Sequence, residues 1–283
     1  MLVPLDDVAA SYGKYKEKLD KILRMRAEAP PEFRVATEHF ASMSWVFPYL
    51  YHTALVERTL ATAAGPSSRV LDWGAFLGQV TYLLQDRFEI DAYNPARDDL
   101  IDYWHRQFDI SRRLFADKDD LAAGRISCAS SSYDAVICSG VLEHTFEFGV
   151  QDLQALKEIH RVLRDDGYLF IWHLPSKNSY EERKSQRPGE WRHILSYELD
   201  EILVKLSLAR FEVVAIEKTG LAFAWLMRLF GWASSVSRLW SLDLWLARTR
   251  MFGPQAHDFT IVCRKHPGFP ERPTSMNYTV FVP

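Results

Sequence analysis

Short apolar segments alternate with amphipathic segments along most of the chain after residue 68, and this alternation limits the fold more than any other feature. The predicted strands are 69–72, 88–93, 113–117, 133–139, 168–172, 211–216 and 259–263. The predicted helices between them are 78–88, 97–108, 150–163 and 199–206. Such repetition predicts an α/β fold with a doubly wound parallel sheet and helices on both faces. Ligands of these sheets bind beyond the carboxyl ends of the strands.

Helical patterns dominate the chain on both sides of this alternation. Two helices are predicted at 5–27 and 43–63, the second rich in aromatic residues. We therefore predict an N-terminal helical cap (1–64), a core (65–217 and 257–266), a helical insertion before the last strand (218–256) and a C-terminal tail (267–283).

The insertion is unusually apolar. Its apolar residues fit a single helical stripe, with Arg228 and Arg238 beside it. The stripe consists of Trp225, Leu229, Trp232, Val236 and Leu239. Three interpretations stay open: a helical hairpin that completes the core, a lid over the substrate, or an interfacial surface that reaches lipid-linked acceptors.

Composition excludes several classes of protein. Of the 283 residues, 48% are hydrophobic and 25% are charged, with a net charge of −3, so we expect no nucleic-acid partner. The three cysteines, Cys128, Cys138 and Cys263, are too dispersed for a disulfide framework, which fits a reducing compartment. The N-terminus lacks the pattern of a signal peptide, and no apolar run reaches the roughly 20 residues of a bilayer span. We expect a cytoplasmic protein whose only membrane contact would be peripheral.

The most informative segment is the turn that follows the first predicted strand. Asp72 ends the strand, and Gly74 and Gly78 allow a tight turn into a helix. Backbone amides at the start of that helix suit a ligand carboxylate. The same glycine turn also occurs in proteins that bind no nucleotide, so it can be a plain strand-to-helix connection.

Asn94 ends the second predicted strand, where a polar side chain can hold the two hydroxyls of a ribose. The alternative is that Asn94-Pro95 only initiates a turn. A third segment, 132–144, contains a buried strand followed by Val141-Leu-Glu-His144, and a helix then leads through Arg161-Val-Leu-Arg-Asp-Asp-Gly167 into the next strand.

These three motifs, in this order, resemble class I S-adenosylmethionine-dependent methyltransferases, especially the group that includes ubiquinone and menaquinone biosynthesis enzymes. The resemblance covers about residues 70–171. It implies a seven-stranded Rossmann-like sheet with an antiparallel last strand, and S-adenosylmethionine as cofactor. It also implies cofactor contacts at Asp72, Trp73, Gly74, Gly78, Asn94, Asp117, Ser139 and Leu142.

The chain departs from this family's pattern in three places, one of which is a longer than usual segment between Asp117 and Asp134. Phe76 stands at the middle glycine of the turn, and Asn94 stands where an acidic residue usually binds the ribose. These departures keep open a non-catalytic protein of the same fold that acts as a binding or structural partner. A nicotinamide-dependent oxidoreductase is disfavoured by the Val141–His144 motif and by the lack of a Tyr-x-x-x-Lys pair.

Histidines are the candidate catalytic groups, because methyl transfer to a hydroxyl needs alignment and usually a base. His144, His173 and His193 follow predicted strands or precede a helix at the carboxyl edge of the sheet. The other histidines are interpreted as surface or packing residues: His39, His52, His105, His160, His257 and His266. Their spacing predicts no catalytic metal. We therefore predict methyl transfer to a small-molecule, lipid or saccharide acceptor, with oxygen as the methylated atom.

Overall fold

The structure is a computed structural model. It describes residues 5–34, 37, 42–63, 67–179, 182, 194–230, 236–249, 251 and 253–266. Within these ranges, no helix is both long and apolar enough to cross a bilayer.

Seven strands of the described chain form one sheet. They are β1 (Arg69–Trp73), β2 (Glu89–Asn94), β3 (Arg113–Phe115), β4 (Tyr133–Ser139), β5 (Leu163–Pro175), β6 (Phe211–Thr219) and β7 (Asp258–Lys265). Their order is β3-β2-β1-β4-β5-β7-β6, and β7 runs antiparallel to both of its neighbours. This is the doubly wound Rossmann-like methyltransferase sheet that the motifs predicted.

Helices cover both faces of this sheet. They are α1 (Leu5–Glu28), α2 (Met43–Ala63), α3 (Gln79–Leu84), α4 (Asp99–Gln107), α5 (Lys118–Ala122), α6 (Asp152–Val162), α7 (Leu199–Leu208), α8 (Phe223–Phe230) and α9 (Val236–Arg248). Successive residues of β4 enter different cores: Ala135 and Ile137 face α1 and α2, whereas Val136 and Cys138 face α6 and α7. Every central strand is therefore buried on both sides, as parallel sheets require.

Element boundaries differ from prediction where local patterns were ambiguous. Helix α3 ends at Leu84, not at 88, because the four residues 85–88 form a turn and a bend before β2. Strand β5 begins at Leu163, five residues before the predicted start, because its register against β4 shifts between Tyr133 and Ala135. The prediction took the polar residues at this shift for a turn.

The prediction of a single stripe in the insertion is wrong. Trp225 and Leu229 of α8 are exposed, whereas Leu239 of α9 is buried, so the stripe mixes outward and inward positions. Trp232 lies outside the described residues. The side chains that dock α8 and α9 are instead Phe223 and Trp240, whose rings lie 4.8 Å apart.

Both docking rings reach the second N-terminal helix. The Phe47 ring of α2 lies 5.7 Å from Phe223 and 6.0 Å from Trp240, and Tyr51 lies 5.8 Å from Trp240. Helix α2 is thus packed between the sheet and the hairpin formed by α8 and α9. This position decides which residues can reach the carboxyl edge of the sheet.

Candidate active site

The first two parallel strands end side by side. Trp73 of β1 pairs with Tyr93 of β2, and the Gly74 amide donates a hydrogen bond of 2.9 Å to the Tyr93 carbonyl. A cleft opens beside these strand ends. Its walls are largely apolar and consist of Trp73, Gly74, Tyr93, Pro95, Leu121, Gly124, Arg125, Ile126, Val141, Thr145, Phe148, Val150, Ala155 and Glu158. Such walls suit a flat apolar ring.

Asp72 organises the turn between β1 and α3. Its buried carboxylate accepts hydrogen bonds from the backbone amide of Thr81 at 3.1 Å and from the Thr81 hydroxyl at 2.7 Å. Burial raises the pKa of Asp72 to about 6, and the bonds from Thr81 oppose that rise. The acid therefore ties the start of α3 to β1.

Gly78 is required by the shape of this turn. Its φ is +88°, and a Cβ there would lie 2.2 Å from Cδ1 of Ile110. Phe76 also has a left-handed backbone, with a φ of +46°. A non-glycine residue holds that conformation only where its surroundings enforce it. Here His105 contacts the Phe76 carbonyl oxygen at 2.9 Å.

Asn94 is the second residue that holds Phe76 in place. Its side-chain oxygen accepts a 2.7 Å hydrogen bond from the Phe76 amide, while its side-chain nitrogen lies 3.5 Å from the Phe76 carbonyl oxygen. Both polar atoms of this buried side chain therefore contact the backbone of Phe76. Sequence motifs could not reveal this bond, because it joins two positions that each depart from the family's pattern.

A second group of polar side chains lies at the carboxyl ends of β1, β4 and β5, which are neighbours in the sheet. We call it the polar cluster: Tyr49, His52, Gln79, Ser139, Glu143, His173 and Asp258. Several of its buried atoms have no hydrogen-bond partner among the described residues: His52 Nδ1, Gln79 Oε1, Ser139 Oγ, Glu143 Oε2 and His173 Nε2. Unpaired buried polar atoms are costly and mark places where a ligand completes the bonding.

His173 is aimed by a distortion near the end of β5. Its φ is +51°, and the register of β5 against β7 shifts between Ile171 and Leu174. Shifts of this kind redirect a side chain next to an active site. Nδ1 of His173 lies 3.5 Å from the Asp258 carboxylate, which also accepts a 2.8 Å bond from His257. Burial alone would raise the pKa of Asp258, but the two histidines lower it below its usual range.

Helix α2 places two rings on His173. The Tyr49 ring lies 5.1 Å from it, and the His52 ring lies at the same distance and perpendicular to it. Tyr49 accepts a 3.2 Å hydrogen bond from Gln79, the first residue of α3, and burial raises its pKa to about 12. The sequence interpretation of His52 as a packing residue is incomplete, because His52 also forms part of the surroundings of His173.

Glu143 lies across Gly140 from His173. A Cβ on Gly140 would be 3.7 Å from the Glu143 Oε1 atom and 3.9 Å from the His173 Cβ. Burial raises the pKa of Glu143 to about 8, helped by the charge of Asp258. The carboxyl group is therefore largely protonated at neutral pH and can donate a hydrogen bond.

The remaining predicted residues lie in different settings. His144 is half-buried, its Nδ1 contacts Glu147 at 2.7 Å, and its Nε2 lies 4.0 Å from Glu143 of the polar cluster. Asp117 caps α5 by accepting the amide of Asp119 at 2.9 Å. Leu142 is fully buried in the core against α6. His193 lies outside the described residues.

Two signals for the missed residues were present in the sequence. Tyr49 and His52 are three positions apart, so they share one face of α2. Asp258 begins the last strand, next to β5. The order of the strands in the sheet must be known before either signal can be connected to His173.

The described residues fit S-adenosylmethionine. The apolar cleft follows β1 and β2, and unpaired buried atoms of Gln79 and Ser139 follow β1 and β4 at the same carboxyl edge of the sheet. The sheet order and the antiparallel β7 are those of the class I S-adenosylmethionine-dependent methyltransferase fold.

Comparison with known proteins agrees with this class. Residues 71–171 match a family model described as a methyltransferase domain, and the chain carries that domain. The matched domain and the fold support S-adenosylmethionine-dependent methyl transfer, with S-adenosylmethionine as the cofactor. No curated protein matches the chain in sequence.

Solved structures share the fold at low sequence identity. A S-adenosylmethionine-dependent methyltransferase from Archaeoglobus fulgidus is 17% identical, with a TM-score of 0.53 over 83% of this chain and 100% of its own. A protein provisionally described as a sarcosine dimethylglycine methyltransferase from Galdieria sulphuraria is 15% identical, with a TM-score of 0.52 over 77% and 86%. A chain from the complex of the Haloferax volcanii Trm112 methyltransferase activator with a methyltransferase is 13% identical, with a TM-score of 0.52 over 87% and 97%.

Proposed function

We propose that this cytoplasmic enzyme methylates a hydroxyl oxygen of a small-molecule, lipid or saccharide acceptor, with His173 as the general base. The observation that carries the proposal is the placement of the two ring nitrogens of His173. Nδ1 faces Asp258 at 3.5 Å, whereas Nε2 is buried and has no partner within the described chain. A base with one nitrogen oriented by a carboxylate and the other free to accept a proton is suited to activate a hydroxyl.

Asp258 keeps the base in the productive tautomer. Because its pKa is lowered, the carboxylate is ionised over the physiological pH range and favours a proton on Nδ1 of His173. Nε2 then carries the lone pair. The negative charge of Asp258 also stabilises the imidazolium that forms when Nε2 takes the acceptor's proton.

Helix α2 encloses the reacting groups and excludes water from them. Tyr49 and His52 are buried over His173, and the His52 ring stacks on Trp172 at 4.7 Å. Burial and the neighbouring His173 lower the pKa of His52 well below its usual value, so it adds no competing positive charge. A dry site strengthens the attraction between Asp258 and His173.

S-adenosylmethionine, when bound, supplies a methyl group activated by its sulfonium. As the acceptor oxygen is methylated, His173 would take up the acceptor's hydroxyl proton on Nε2. Glu143, protonated at neutral pH, can donate to a second acceptor oxygen and fix the acceptor's orientation.

The test compares two histidine variants of the full-length enzyme. Purified protein is assayed with S-adenosylmethionine and a panel of phenols, hydroquinones, sugars and amines, with release of the thioether product as the readout. We expect turnover with a hydroxyl compound, and a loss of roughly 10²-fold or more in kcat for His173→Asn. His266→Asn is the matched variant, because His266 is exposed after the opposite end of β7 from Asp258, and it should keep most of the activity.

Binding of S-adenosylhomocysteine to both variants separates chemistry from cofactor affinity. We expect His173→Asn to bind as tightly as the natural enzyme. Turnover with amines alone, or full activity of His173→Asn on a hydroxyl acceptor, contradicts the proposal.

A further inference from the structure

The hairpin formed by α8 and α9 carries apolar side chains on the side that does not pack on α2. We call this the outer hairpin face: Trp225, Leu229, Phe230, Leu242, Trp245 and Met251. Trp225 is 59% exposed and Trp245 is 60% exposed. Tryptophan is rarely left this open, because its exposed apolar area forfeits stabilisation. These residues therefore require an explanation other than core packing.

The inner side of the same hairpin already holds it in place. Phe223 and Trp240 are buried against α2, and Asp243 accepts backbone hydrogen bonds from Gly220 at 3.1 Å and Ala222 at 2.5 Å. Glu217 of β6 pairs with Arg248 at 2.5 Å. The anchoring of the hairpin is thus accounted for by these inner contacts.

Among the described residues of the hairpin, the exposed charged side chains are all positive. Arg228 and Arg238 are exposed, whereas Asp243 is buried and is the only acidic residue in the described part of 220–249. An exposed tryptophan-rich surface with arginines and no exposed acid is complementary to anionic lipid headgroups over an apolar interior. The net charge of −3 for the whole chain gives no such attraction, so the complementarity is local.

We propose that the outer hairpin face binds the interfacial zone of an anionic bilayer, with Trp225 and Trp245 inserted among the acyl chains and Arg228 and Arg238 at the headgroups. The contact is peripheral, consistent with the absence of a bilayer-spanning helix from the described residues. Packing links this surface to the site, since Trp240 contacts Tyr51 at 5.8 Å on the helix that also carries Tyr49. If the proposed function holds, an acceptor at the membrane surface would be delivered close to His173.

Co-sedimentation with vesicles tests the proposal directly. The full chain is mixed with vesicles of phosphatidylcholine alone, or with one third phosphatidylglycerol, at low and high salt. We expect binding to the anionic vesicles that weakens with salt. Trp225→Ser with Trp245→Ser should reduce it roughly tenfold or more, and each of Arg228→Gln and Arg238→Gln by about fivefold.

The matched control is Val204→Ser with Leu208→Ser. These residues are 45% and 55% exposed on α7, which packs on the opposite face of the sheet. We expect this variant to bind vesicles like the natural protein. A blue shift of tryptophan fluorescence with anionic vesicles, lost in the tryptophan variant, is an independent readout that does not depend on activity.

Three outcomes overturn the proposal: no binding to anionic vesicles, equal loss in the control variant, or self-association through this face without vesicle binding. The last outcome, seen by sedimentation velocity, would identify a second copy of the chain as the occupant. Turnover of a water-soluble hydroxyl acceptor without vesicles should be the same in the tryptophan variant. Failure here is thus distinguishable from failure of His173 as the base.

Discussion

The two halves of the active-site edge have different origins and different chemistry. Every residue that lines the apolar cleft lies between 71 and 171, the segment that matches the methyltransferase domain. Tyr49, His52, His173 and Asp258 lie outside that segment. The matched domain therefore supplies the proposed cofactor half, whereas the proposed acceptor half combines these four residues with Glu143 of the domain.

Their hydrogen bonding differs in the same way. In the cofactor half, Asp72 and Asn94 have bonding partners in the turn itself. In the acceptor half, buried atoms of Glu143 and His173 have no partner among the described residues. A region whose polar atoms all have hydrogen-bond partners acts as a rigid support. A region with unpaired polar atoms can bind a ligand and take part in proton transfer.

The largest expected effect is a loss of cofactor affinity, caused by a substitution in the cofactor half. Gly78→Ala places a Cβ 2.2 Å from Cδ1 of Ile110, so the turn must move, and we expect affinity for S-adenosylhomocysteine to fall by roughly 100-fold by calorimetry. Gly149→Ala is the matched control, because Gly149 also has a positive φ, +73°, but nothing lies within 4 Å of its added Cβ. Equal losses in both variants would show that backbone strain, and not the turn's packing, limits binding.

A smaller effect is expected when the base is left in place but loses its orientation. Asp258→Asn removes the charge beside His173, and we expect kcat to fall roughly ten- to a hundredfold with unchanged cofactor affinity. Asp166→Asn, on an exposed residue paired with Arg264 at 2.9 Å, is the comparison that should leave kcat unchanged.

The smallest effect concerns the stability of the acceptor half. The pKa of Glu143 is about 8 in the folded protein and about 4.5 when unfolded, so the folded state holds the proton more tightly. Stability from this group is full below pH 4.5 and is lost as pH rises to 8, by at most about 1.4 kcal/mol per pH unit. We expect Glu143→Gln to gain melting temperature relative to the natural protein as pH rises from 5 to 8. A constant difference across that range would contradict a raised pKa.

The sheet could be predicted because each strand is a short apolar run bounded by turn residues, and β4 was predicted at its observed boundaries, Tyr133–Ser139. The cofactor turn was predicted for a similar reason, since Gly74 and Gly78 form a local pattern. The positive φ of His173 could not be predicted, because it depends on pairing between β5 and a strand that begins at residue 258.

Which side chains of the insertion are buried could not be predicted either, because this also depends on contacts between distant parts of the sequence. Trp225 and Trp240 are the same residue type in neighbouring helices, yet one is exposed and the other is buried. Periodicity identified helices but not which face meets α2, because that depends on rings such as Phe47 far away in sequence. Long-range packing is the information that the sequence pattern lacks.

A crystal structure with S-adenosylhomocysteine tests the central claim most directly. The account predicts the adenine in the cleft between Trp73 and Ile126, and the sulfur directed towards the polar cluster, with room for one acceptor group between the sulfur and Nε2 of His173. A sulfur separated from His173 by Tyr49 or by the chain at Gly140, with no shared space for an acceptor, would contradict it.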